Sequence, residues 1–515
     1  MNRILAAAPI ALVVLIAVLA VTEAATRGAA LSGDSIALWA GAIAAADGEV
    51  SVGGIAAAYP TVPFLAMTLI KLITPASAPV PALLAAAVAA VLAGLWFGTA
   101  RRAGWPAVTA GAATLLVIFH PAVLRAAIEG PADLLVVAFL YLLGVALYEF
   151  RARIGVPEAM AVGFALLGLA FSHPIGAAVA VGSIPLLAFA TRPALVAGSA
   201  LNIVLTLMFP VLFAAAAFCY VSWVFPGDGW NFLAAPSAGL AAWAAGFAHG
   251  LAGISSGSLS ADAAFAIAAA IVLGAPIVPV VIVWVRQRRP LTAPPLVLAG
   301  SVVVSAALAV ATRLCGSPAT LAAAAPVLAM LVLTRIPVVR ERRATALLLL
   351  ALGWLGGAAS LVIVDPRIAA QLSAASSPSS SDQMPGRRAP SGKPSAGRID
   401  DGDAAAALAL GGAVAGRDDV LVDTLNAPAV VVGRGSARGL LSPWGEPFRL
   451  AVLFSRIDAQ LVAVPDPASI SGAQDRLTKS FPLLFHNGLP NYRIVYQNSI
   501  WKLFERVDQV AIHQD

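Results

Sequence analysis

A series of long, almost uncharged apolar runs limits what this chain can fold into. Each approaches the roughly 20 residues that an α-helix needs to cross a bilayer. They fall near 4–21, 79–98, 105–120, 132–150, 157–172, 175–190, 196–224, 262–285, 292–312, 317–334 and 344–364. In hydrocarbon the backbone must satisfy its own polar groups, so such runs form helices. Of the 515 residues, 60% are hydrophobic and 11% charged. Soluble chains carry about 25% charged residues. That composition excludes a soluble enzyme, a disordered chain and a nucleic-acid-binding protein. The expected fold is mainly α: a polytopic helical membrane protein of about eleven spans, followed by a small C-terminal α/β domain.

The charges are unevenly placed. Residues 1–375 hold 18 basic and 12 acidic side chains, and residues 376–515 hold 14 of each. Within the first part, Arg3, Arg101, Arg102, Arg151, Arg153, Arg192, Arg286, Arg288, Arg289 and the group from Arg335 to Arg343 all fall between runs on one side. Cytoplasmic loops retain positive charge. The rule places the N-terminus in the cytoplasm and the C-terminal domain outside. Residues 63–75 are then left on the outer side. They are too short to span and contain Lys71, which suits a re-entrant or interfacial helix. The positive excess records topology and calls for no nucleic-acid partner. Cys219 and Cys315 sit in apolar surroundings, and two cysteines make no disulfide framework.

Three parts follow: a transmembrane domain over 1–371, a flexible Ser/Pro/Gly-rich linker over 372–398, and an extracytoplasmic α/β domain over 399–515. In the last, 419–423, 429–433 and 461–465 are expected strands, 492–507 an expected hairpin, and 401–415 and 471–485 helical or turn-like. Trp444 and Trp501 suit core packing better than sugar stacking.

No nucleotide-binding loop, HExxH, CxxC or GxSxG motif is present, and the five histidines have no metal-ligand spacing. The polar residues of the outer loops are the remaining candidates. Asp34 opens a helix whose apolar face, Ile36, Trp39, Ala40 and Ile43, is able to lie on the bilayer. Asp34 is either a helix cap or a catalytic acid. Asp47 and Glu49 flank Gly48 and suit a solvated turn. The next outer loop gathers His120, Arg125, Glu129 and Asp133. Charge near the membrane is expensive and tends to be functional. Asp133 also suits a cap for the following span. Arg125 and Arg313 suit either phosphate binding or snorkelling. His120 and His173 precede prolines at span ends and read first as polar caps.

This order is an inner N-terminus, an external Asp34, an amphipathic loop, then Tyr59-Pro60-Thr61-Val62-Pro63-Phe64-Leu65. It resembles the GT-C class of polytopic glycosyltransferases, which includes protein mannosyltransferase and aminoarabinose transferase relatives. The chain's last segment is similar to the periplasmic tails of bacterial members. The resemblance implies transfer of a sugar from a polyprenyl-phosphate donor to a glycan, lipid or protein acceptor at the outer face of the bilayer. Under it, Asp34 is the catalytic base. Asp133 or Glu129 orients the acceptor or an optional divalent cation, with no other cofactor. Arg125 or Arg313 neutralises the leaving phosphate, and Tyr59 and His120 complete the binding groups. Two alternatives stay open: an inactive scaffold displaying its outer domain, because Thr61 replaces a proline of the expected run, and a transporter or flippase.

Overall fold

The computed structural model describes residues 2–27, 33–75, 78–190, 193–224, 293–312, 323–335 and 401–507. These residues divide into two compact units. Unit 1 comprises Met1–Glu23, Tyr59–Val62 and Ala85–Ala396, and unit 2 comprises Ala24–Ala58, Pro63–Leu84 and Gly397–Asp515.

The described residues up to 224 form helices joined by short turns: α1 (Asn2–Arg27), α2 (Gly33–Ala46), α3 (Val52–Ala56), α4 (Thr61–Ile73), α5 (Val80–Arg102), α6 (Ala107–Ile118), α7 (Pro121–Glu129), α8 (Pro131–Arg153), α9 (Val156–Ser172), α10 (Pro174–Leu187) and α11 (Pro193–Val224). Two further described helices are α12 (Ala293–Thr312) and α13 (Ala324–Arg335). Proline fixes helical φ and lacks the N–H that the first turn would leave unpaired, and it opens α7, α8 and α10.

In unit 1 the central element is α8, which packs on α7, α9, α12 and α13. Leu134, Val137, Leu140 and Leu147 on α8 are fully buried. Small residues let membrane helices approach closely. A Cβ added at Gly144 would collide with Leu331, one at Gly168 with the Phe139 ring, and one at Gly163 with Pro210. The two ends of α8 are polar. Glu149 near its C-terminal end accepts a 2.9 Å bond from Arg335 of α13, and Asp133 stands in its first turn. At 1.5 Å per residue these acids are ~24 Å apart along the axis, near the thickness of a bilayer's hydrocarbon core.

Among the described residues, α5, α8 and Ala200–Val224 of α11 are long and apolar enough to cross a membrane, and α6 with α7, bent by 52°, makes a fourth if taken as one span. This corrects the expected eleven. The runs at 157–172 and 175–190 form α9 and α10, of 17 and 14 residues, because Pro174 divides one apolar stretch in two. The runs at 262–285 and 344–364 lie outside the described residues, as does the expected linker.

Unit 2 holds α14 (Asp401–Ala413), β1 (Val420–Leu421), α15 (Pro428–Arg434), β2 (Leu440–Leu441), α16 (Glu446–Phe454), β3 (Leu461–Pro465), α17 (Ile470–Gln474), α18 (Arg476–Ser480), α19 (Leu484–Asn487), β4 (Tyr492–Gln497) and β5 (Trp501–Arg506). The sheet order is β2-β1-β3-β5-β4. β1 runs parallel to β2 and β3, while β3–β5 and β5–β4 are antiparallel. Successive strand side chains point to opposite faces, so the sheet has two cores. One gathers Val420, Val422, Leu461, Ala463, Trp501 and Leu503 against α14 and α15. The other gathers Leu421, Val462, Val464 and Phe504 against Phe448, Leu477 and Leu484. Trp501 is thus a core residue, as expected, while Trp444 is half exposed.

Two expectations for this unit need correction. Residues 429–433 are helix α15, not a strand. The apolar face of α2 also does not lie on a bilayer. Ile36, Ala40, Ile43 and Ala44 are buried in the first of the two sheet cores, beside Leu410, Val430 and Trp501.

Candidate functional site

The polar candidates of unit 1 gather where α9 ends and α10 begins. His173 closes α9 and caps α10: its Nδ1 accepts the Ile175 N–H at 3.0 Å. A nitrogen that accepts a hydrogen bond carries no proton. The remaining ring proton therefore sits on Nε2, and Nε2 faces Asp133 Oδ1 at 3.9 Å. That separation is longer than a hydrogen bond and leaves the carboxylate beside the ring proton. The His173 and Asp133 side chains retain 18% and 11% exposure, so the pair is screened from bulk solvent yet reachable.

Tyr59 arrives at the same helix end. Its hydroxyl donates to the carbonyl of Ala170 at 3.0 Å, three residues before His173. Its ring meets Phe171 and Phe218 edge-on, each at 6.4 Å, and those two rings meet each other at 5.7 Å. The peptide joining Tyr59 to Pro60 is cis. Tyr59, Phe171, His173 and Asp133 thus form one cluster with an aromatic wall, a histidine facing a carboxylate and a tyrosine aimed by a backbone carbonyl.

Helix α7 carries the second group. Arg125 donates to Glu129 Oε1 at 2.8 Å, one turn away. The guanidinium and carboxylate that the sequence assigns to separate tasks therefore neutralise one another. His120 caps α7 as His173 caps α10, its Nδ1 accepting the Ala122 N–H at 3.2 Å. It is buried, with its ring proton likewise placed on Nε2. Asp34 is in unit 2, exposed, in the first turn of α2. An acid in that turn faces the positive end of the helix dipole. Arg313 lies outside the described residues.

The structure therefore joins Asp133 to Tyr59 through the end of α9, and Arg125 to Glu129. Sequence reasoning left His173 as a polar cap and gave no role to Phe171 or Phe218. Both His-Pro pairs carried the signal. A histidine before an N1 proline spends Nδ1 on the cap and presents Nε2–H outward, so capping and site chemistry coexist in one side chain. Among the described residues, no three of His, Cys, Asp and Glu are arranged to hold a metal ion. No protein-family model and no curated protein matches this chain.

Proposed function

We propose that this chain is a membrane glycosyltransferase of GT-C type. It would move a sugar from a polyprenyl-phosphate carrier to a glycan, lipid or protein acceptor on the outer face of a bacterial inner membrane. The observation that carries the reading is the cluster at the end of α9. Asp133, His173 and Tyr59 converge there in a helical unit, and the opposite end of α8 carries the Glu149–Arg335 pair. Charged groups kept to the ends of an apolar helix suit a reaction at a membrane surface better than a path through the membrane.

In this reading Asp34 takes the proton of the acceptor hydroxyl as the new glycosidic bond forms. The bond from the anomeric carbon to the lipid phosphate oxygen breaks in the same step. Asp133, held by His173, orients the acceptor. Arg125 or Arg313 meets the charge that develops on the departing phosphate. The aromatic trio of Tyr59, Phe171 and Phe218 offers an apolar flank for sugar or prenyl chain. The topology with inner N-terminus and outer C-terminal domain belongs to the same proposal.

The test is sugar transfer by membranes carrying Asp34→Asn. Loss of a positioned base costs about 10²–10⁴-fold. The expected result is a fall of that size with insertion unchanged, read by mass spectrometry of lipid-linked sugars and envelope glycans. Transfer at the wild-type rate would remove Asp34 as the base. For the topology, a cysteine placed at Arg102 should resist labelling from outside intact cells, and strong labelling would reverse the assignment.

A further inference from the structure

Helix α4 is built inside out. Pro63, Phe64, Met67 and Lys71 are buried on one face, and Lys71, the helix's single charged residue, donates through Nζ to the carbonyl of Gly435 at 3.3 Å. The opposite face is apolar and open. Leu65 is 42% exposed, Leu69 65%, Leu72 61% and Ile73 84%. Positions 65, 69, 72 and 73 follow the i, i+4, i+7, i+8 spacing of a single helical stripe. No charged side chain interrupts it.

We propose that this stripe rests on the lipid bilayer, at the boundary of headgroups and acyl chains, and that α4 is the seat on which the C-terminal α/β domain is held at the membrane. An apolar stripe on a helix that turns its cation inward is poorly matched to water. The chain itself argues for lipid as the occupant. Seven residues after Ile73 the apolar helix α5 begins at Val80, with hydropathy and length suited to crossing a membrane. Seven residues span at most ~25 Å, which tethers the end of the stripe close to the mouth of that helix. The attachment to the domain comes from the other face and its neighbour. Besides the Lys71 bond to Gly435, Asp47 Oδ2 accepts from Ser436 Oγ and from the Ala437 N–H, both at 2.7 Å. Residues 435–437 are thereby gripped by two elements of the first loop within unit 2.

The test uses the full chain, with Cys219 and Cys315 replaced by alanine, in nanodiscs of phosphatidylethanolamine and phosphatidylglycerol. Single cysteines from 64 to 73 are spin-labelled, and collision rates with dissolved oxygen and with a water-soluble nickel chelate are compared. Labels at 65, 69, 72 and 73 should collide with oxygen several-fold more readily than with nickel, while a label at exposed Asp458 shows the reverse. A nickel preference at 69, 72 and 73 would put the stripe in water and overturn the proposal. Shielding of those positions from both reagents would overturn it too, by showing protein over the stripe. Leu69, Leu72 and Ile73 are mostly exposed, so the labels that decide the outcome leave folding intact. The outcome does not depend on whether the chain transfers sugar.

Discussion

Asp475 shows how far burial moves a single group. It is fully buried and caps α18, accepting the Thr478 N–H at 2.6 Å. Burial pushes its carboxyl up to about 6, against the helping Thr478 N–H and with the nearby Asp423 charge adding to the rise. A carboxyl raised in the folded state stabilises the fold only while protonated. Its contribution is present below the ordinary carboxyl value of 3.8 and disappears as pH climbs through about 6. At 1.36 kcal/mol per pH unit this amounts to about 3 kcal/mol. Asp475→Asn keeps an acceptor for Thr478 and never ionises. The variant should therefore gain about that much on the natural chain between pH 4 and pH 7. Hydrogen exchange of the amides around 476–480, in the full chain at both pH values, measures it, and parallel profiles would refute the assignment. The charge on Glu505 acts with the opposite sign. Arg493 and Arg417 hold it below the usual carboxylate range, but it is at the surface and solvent screens it.

At the scale of elements, α14 and α15 cross through paired glycines. A Cβ at Gly411 would collide with Val430 O and sit 2.8 Å from Arg434 N, and one at Gly433 would collide with the Leu408 carbonyl. Gly412, the next residue, has open space around its Cβ position. Gly411→Ala should thus force two backbones apart and lower stability by about 1–3 kcal/mol. Gly412→Ala should raise it by about 0.5–1 kcal/mol through helix propensity alone. Opposite shifts in the melting of the sheet-bearing unit are the expected result. Shifts of the same sign would argue against a backbone-limited crossing. The same crossing shows what the sequence hid. Val430, Val431 and Val432 have strand-like side chains, and their continuous run between Ala429 and Gly433 is short enough to suit either structure. The deciding signals flank them: Pro428 at the first helical position, and Gly435, left-handed at φ 76°, just past the end. By contrast the β4–β5 hairpin was legible because alternation continues on both sides of a turn. Asn498 Oδ1 accepts the N–H groups of Ile500 and Trp501 there. In unit 1 the dense apolar runs announced helices, and the division at Pro174 between the runs at 157–172 and 175–190 was legible as well.

At the scale of the molecule, unit 2 draws residues 24–58 and 63–84 into one compact unit with residues 397–515. Periodicity located the apolar face of α2 correctly but carries no information on what covers it. A bilayer and a protein core ask for the same side chains. The turn at Asp47 looked solvated for a similar reason. Its partners, Ser436, Ala437 and Arg438 at 3.8 Å, are nearly four hundred residues away, and no local pattern encodes them. The consequence is testable. Ile43 is 1% exposed in the core that also holds Val420, Val430, Leu461 and Trp501. Truncating a buried isoleucine removes transfer energy and leaves a cavity, at about 2–4 kcal/mol. Ile43→Ala should therefore loosen amides in α14, α15 and β1 of the full chain by that amount, read by hydrogen exchange. A fragment of residues 399–515 alone should expose the face that α2 covers, bind a hydrophobic dye and melt early. Joining residues 33–58 to it through a flexible linker should restore cooperative melting. Equal stability of the fragment with and without 33–58 would mean that α2 rests on a domain already complete. Recovery would mean that the domain takes part of its core from the first loop, so that the helix carrying Asp34 cannot shift without cost to the sheet it completes.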